Sequence, residues 1–171
     1  MMVFYALGAG AKGLGYFADH ADQEGLVTSE GRYLPLSHNQ PLWEEVGRIN
    51  SDVRALAPYL AVGCAMPLQD EHKKVWASAI MSGPDNLVVI LVNKDHYMGY
   101  NTCNAHAWHN PAADVNLTIP LPPHFGGCLV REVKDGKLVQ MDAAVERGQL
   151  RLALDEVDTA RAFVVTNANA E

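Results

Sequence analysis

The spacing of apolar residues changes once along this chain, and that change limits what it can fold into. Leu42, Val46, Ile49, Val53, Leu56 and Leu60 recur at steps of 4, 3, 4, 3 and 4 residues, one continuous stripe on an α-helix. From about Lys73 onward the period is two. Val115, Leu117, Ile119 and Leu121 alternate with Asn116, Thr118 and Pro120, and Leu150, Leu152 and Leu154 with Arg151 and Ala153. The chain therefore reads as α+β, mainly β.

The strand-rich part, residues 73–171, reads as an antiparallel β-sandwich of about seven strands. Val75–Met81 and Leu87–Asn93 flank Ser82-Gly83-Pro84-Asp85-Asn86 as a hairpin. Leu129–Val133 and Lys137–Met141 flank Lys134-Asp135-Gly136, where Asp-Gly is a strong hairpin signal. Ala160–Thr166 closes the set. The boundary falls near Gly63–His72, where Cys64-Ala65-Met66-Pro67 is expected to break the helix.

Residues 1–62 read as a helix–strand–loop–helix segment. Val3, Phe4, Ala6, Leu7 and Ala9 leave the first helix almost no polar face. Lys12 supplies a cationic last turn and Gly13 a C′ residue. Leu14–Ala18 is a strand candidate, apolar on both faces as a buried parallel strand would be. Asp19–Ser37 is a long connection with Gly25, Gly31 and Pro35. In the second helix Ser37 or Asn39 is placed to cap, Pro41 suits the first turn, and Glu44-Glu45 face the positive end of the macrodipole. Pro58 is expected to end or distort it. An apolar helix needs cover, so self-association through residues 2–18, or a missing barrel before them, is expected.

Bulk chemistry excludes several roles. A formal charge of −7 with no Lys/Arg cluster beyond Lys73-Lys74 argues against nucleic acid. No apolar run approaches the ~18 residues that span a bilayer, so no membrane role is expected. The opening residues lack a signal peptide's basic n-region, and localisation stays open. Cys64, Cys103 and Cys128 are widely spaced and expected to be buried as small apolar residues. The run Gly8-Ala9-Gly10-Ala11-Lys12-Gly13 precedes its strand candidate instead of following it, the wrong order for a phosphate loop.

The stretches ALGAGAKGLGYF and LWEEVGRINSDVRALAPYL, with a long loop between them, resemble the last units of the (β/α)₈ barrel of glycoside hydrolases of the large retaining clan. The remainder resembles the C-terminal sandwich that commonly follows such barrels. The resemblance implies that Gly15–Ala18 is the eighth barrel strand and that Tyr16, Phe17, Asp19 and His20 line the sugar site of the parent enzyme. It carries no catalytic residue, because the carboxylates of that clan lie on earlier strands that this sequence does not contain. The implied role is a non-catalytic C-terminal part of a glycoside hydrolase.

Other chemistry was weighed on its own residues. A glycosidic carboxylate pair stands about 5–9.5 Å apart. Asp19, Asp22, Glu24 and Glu30 all lie on one connection with nothing to raise a general acid's pKa, and solvated loop charges are the preferred reading. Cys103, His106 and His109, with His96 nearby, form the one metal-like cluster, the basis of a weaker alternative, a small zinc enzyme. Asn101, Asn104, Asn110 and Pro111 make that segment a loop, so no metal or other cofactor is assigned. Trp108 in this loop, with Tyr97 and Tyr100, gives a carbohydrate-binding alternative. Trp43 is expected beside the helix stripe and Trp76 in a strand. Asn116-Leu117-Thr118 matches the N-glycosylation pattern within a strand.

Overall fold

The computed structural model describes residues 2–15, 40–68, 74–98 and 107–169. The order is α1 (Met2–Gly8), α2 (Gln40–Ala61), β1 (Gly63–Pro67), β2 (Val75–Ser82), β3 (Asn86–Asn93), β4 (His96–Met98) and β5 (Ala107–His109). There follow β6 (Ala112–Pro120), β7 (Cys128–Lys134), β8 (Lys137–Met141), β9 (Ala144–Glu146), β10 (Gln149–Val157) and β11 (Ala160–Asn167). The fold is α+β and mainly β, with every ladder antiparallel.

A six-stranded sheet runs β1-β2-β3-β11-β7-β8, a three-stranded sheet β6-β10-β9, and β4 and β5 form a ribbon. The two larger sheets share one apolar core. Leu87, Val89 and Leu91 of β3 and Phe163 and Val165 of β11 meet Val115, Ile119, Leu150, Leu152 and Leu154 from β6 and β10. The alternate residues of the same strands turn the other way. Val88, Ile90, Val92 and Val164 pack with Phe4 and Leu7 of α1 and Leu56 and Leu60 of α2 in a second core. The middle strands of this sheet, β2, β3 and β11, are thus buried on both faces, which explains why β3 is an unbroken apolar run, Leu87–Val92.

Several expectations are corrected here. α1 ends at Gly8, and its C′ glycine is Gly10, not Gly13. Gly10 adopts a left-handed φ of +98°. Its N–H donates to the Leu7 carbonyl and that of Ala11 to Ala6, the Schellman pattern, 2.9 Å each. Lys12 serves a different helix end: its ammonium donates to the Leu60 carbonyl (2.7 Å) and to that of Gly63. With the chain drawn to α2 in this way, Leu14 and Gly15 form no strand, and the rest of that candidate lies outside the described residues.

Pro58 sits inside α2, which continues to Ala61; the proline removes one donor, and Lys12 sets a cation at the carbonyl end of the helix. Glu44 and Glu45 lie past the first turn and bond Gln40 (2.7 Å) and Arg48. Of the stripe, Leu56 and Leu60 are buried, Ile49 and Val53 half-buried, while Trp43 is exposed. The stripe enters the core from Ile49 onward and is fully buried at Leu56 and Leu60. Residues 63–67 do not merely break the helix. They form β1 by pairing with Ser78–Ser82, against the low strand propensity of Gly and Pro. Gly8 lies where α1 touches the sheet: a Cβ there would meet the Trp76 ring at 2.6 Å, and Ser78 Oγ donates to the Gly8 carbonyl at 2.5 Å. Trp76 is in a strand as expected, 5.0 Å from the Tyr5 ring. Cys64 is exposed, not buried.

Candidate functional site

The sugar-site candidates Tyr16, Phe17, Asp19 and His20 lie outside the described residues, as do Cys103, His106 and Tyr100. Trp108 and His109 do not sit in a loop. They belong to β5, where the ladder sets Trp108 opposite Tyr97 and His109 opposite His96. Aromatic residues favour extended backbone, which turns this part of the expected loop into a ribbon. The backbone register therefore pairs the two aromatic residues on one face of the ribbon and the two histidines on the other. Among the described residues no group of three His, Cys, Asp or Glu side chains is placed to hold a metal ion. No helix there is long and apolar enough to cross a membrane.

One cleft of about 700 Å³ lies where α2 meets the ends of β7 and β10–β11, and includes Arg48, Asp52, Glu132 and Arg161 in its lining. On the helix, Glu45, Arg48 and Asp52 follow one another at steps of three and four residues. Arg48 Nε and Nη2 donate to the two Glu45 carboxylate oxygens at 2.9 and 2.7 Å, and Nη1 to Asp52 Oδ2 at 3.2 Å. Asp52, only 4% exposed, accepts with Oδ1 the N–H of Gly136 at 2.7 Å, which ties the helix to the β7–β8 turn. Glu132, also buried, accepts Arg161 Nε at 2.6 Å and pairs with Lys134 Nζ at 3.2 Å. Arg161 also donates to the Glu156 carbonyl at 3.1 Å and lies 5.4 Å above the Phe163 ring.

Electrostatics follow from these contacts. Burial alone would raise the Glu132 pKa, but the hydrogen bond and charge of Arg161, with Lys134, outweigh it and hold the carboxyl below its ordinary value. The hydrogen bond from Arg48 lowers Glu45 and raises Arg48 in return. Both carboxyls are held ionised. A glycosidic general acid needs the opposite shift; Glu132 instead ties β7 to β11, Glu45 braces α2 along its own length, and the Asp52–Gly136 bond joins helix to sheet. The spacing of Glu45, Arg48 and Asp52 was readable in sequence. The Glu132–Arg161 pair, joined through the β7–β11 ladder, left no local signal.

Comparison with known proteins adds only a resemblance of backbone course. No protein-family model matches the chain, and no curated protein is significantly similar. Among solved structures it is similar to a GH30 endoxylanase from Clostridium papyrosolvens C71, with 15% identity, TM-score 0.37, 59% of this chain and 22% of that one covered. A glycoside hydrolase family 30 subfamily 8 xylanase from Clostridium acetobutylicum gives 13% identity and TM-score 0.39, covering 85% of this chain and 31% of the enzyme. An alpha-L-fucosidase isoenzyme 2 from Paenibacillus thiaminolyticus gives 11% and 0.40, with 77% and 18% covered. The chain spans less than a third of each of these proteins. No residue's role passes from them to it.

Proposed function

We propose that this chain is a non-catalytic C-terminal part of a glycoside hydrolase, a β-sandwich bound to the last helices of a (β/α)₈ barrel. The observation that carries the reading is the two-sided burial of the middle strands of the six-stranded sheet. One face packs against a second sheet and the other against α1 and α2, the helices whose sequence resembles a barrel's end. Lys12 adds a polar tie at the C-terminal end of α2 and the Asp52–Gly136 contact one at its middle. Such a unit holds a helical layer in a fixed position against a sandwich, a mechanical task that asks for ionised clamps and dense packing.

The test is hydrolysis of a panel of aryl glycosides and soluble polysaccharides by the chain alone and by the chain with its upstream coding region restored. The proposal expects no turnover above the protein-free control in the first case and turnover in the second. Turnover by the chain alone, or none by the extended protein, would overturn it.

The β4–β5 register favours a second reading, carbohydrate binding at the Tyr97/Trp108 pair. Rings on one ribbon are suited to stack on the apolar face of a pyranose. Calorimetric titration with oligosaccharides decides it: heat of binding that Trp108→Ala abolishes supports a sugar site, and no heat removes it.

A further inference from the structure

We infer that Asn93 is the positioning residue of the β4–β5 ribbon, and that the Tyr97/Trp108 pair is carried on an arm fixed before any ligand arrives. The inward-facing row of β3 runs Leu87, Val89, Leu91 and then Asn93, which lies opposite Val75. Asn93 is fully buried where the pattern of the strand calls for an apolar residue. A carboxamide in such a place costs stability unless its donors and its acceptor are all engaged.

They are engaged, and all with one part of the fold. Asn93 Nδ2 donates to the Asn110 carbonyl and to the Asp158 carbonyl, 2.7 Å each, and Oδ1 accepts the Asp95 N–H at 2.8 Å. Asp95 precedes β4 and Asn110 follows β5, so one side chain grips both roots of the ribbon. The Asn110 N–H closes the root by donating to the Asp95 carbonyl at 3.0 Å. Asp158 lies in the β10–β11 turn, whose Thr159 carbonyl accepts the Asn93 N–H at 2.9 Å. The same residue thus ties the ribbon to the body of the sandwich. The Lys94 N–H, donating to the Lys74 carbonyl at 2.7 Å, and the Lys74–Asp95 ion pair at 3.5 Å brace it from the β2 side.

This bonding selects asparagine. A carbonyl oxygen only accepts and an N–H only donates, so the carboxamide fits one way round. Aspartate has no N–H to give and would set its carboxylate against two carbonyl oxygens. Tyr97 and Trp108 stand opposite each other, two residues out from the two roots. An aromatic pair carried on a fixed arm meets a ligand without first having to be ordered. The use of the arm for a sugar rests on the carbohydrate reading above; its anchoring does not.

Amide hydrogen exchange on the full chain, with no ligand present, tests the anchoring. In the unaltered protein the Asp95 and Asn110 amides should exchange about a hundredfold or more slowly than in an unfolded chain. Asn93→Ala should speed exchange at Asp95, at Asn110 and along the His96–His109 ladder by about tenfold or more relative to the β6–β10 ladder. Leu56→Ala, which weakens the helix-side core, should not single out the ribbon in this way. Fast exchange at Asp95 and Asn110 in the unaltered protein would overturn the inference, and this arm stands even if Asn93→Ala does not fold. So would an Asn93→Ala chain whose ribbon and β6–β10 amides change in step. Sugar binding is read separately by titration, so a ribbon that is anchored but binds no sugar removes the carbohydrate reading and leaves this one.

Discussion

Leu56→Ala probes whether the helices are part of one cooperative unit with the sheets. Leu56 is fully buried on the sheet-facing side of α2, in the core it shares with Phe4, Val88, Ile90 and Val164. The substitution deletes three carbons, worth about 2.4 kcal/mol at ~0.8 kcal/mol each. The void adds about 1 kcal/mol or more, because a site held between a helix and a rigid sheet collapses poorly. The sum, about 3–4 kcal/mol, corresponds to a fall in melting temperature of roughly 10 °C for a chain of this size. Urea titration followed by both far-ultraviolet circular dichroism and tryptophan fluorescence should show one shared transition, moved to lower urea with its slope kept. A loss below about 1 kcal/mol, or a helix signal melting apart from the fluorescence, would refute the claim that α2 and the six-stranded sheet fold as one body.

Two further substitutions address the polar ties. Glu132 titrates below its ordinary value of 4.5 in the folded state, so its contribution is present above that pH and is lost as pH falls through the folded value. Glu132→Gln should flatten the acid limb of a stability–pH curve below about pH 5, and an unchanged limb would contradict the assignment. Lys12→Met removes the cation at the carbonyl end of α2 and should cost about 1–3 kcal/mol by urea titration, whereas a neutral outcome would mean that Lys12 is solvated.

What could be read from sequence and what could not divides along physical lines. The alternation in β6 and β10 and the stripe of α2 are local patterns, and the structure forms a strand or helix at each. β1 was missed because Gly63–Pro67 has little propensity of its own and exists by pairing with β2. The short strands β4, β5 and β9, three residues each, carry too few residues to show a period. The unbroken run Leu87–Val92 was the available sign that the sheet is covered on both sides. Its meaning stayed hidden while residues 1–62 were read as standing apart. Lys12 was assigned to the wrong helix since sequence distance favoured α1, and only the fold brings it to Leu60. Of the candidate site, Glu45 was read only as a dipole partner, its spacing to Arg48 and Asp52 was present in the sequence but not read, and Glu132 and Arg161, 29 residues apart, meet only through the ladder.

The most direct test of the proposed role is to read the coding region upstream of this segment in the source genome. The account predicts one open frame continuing upstream, encoding repeated strand–helix units with Glu or Asp at strand ends. An in-frame stop immediately upstream, with the 171-residue chain found in cells as such, would contradict it.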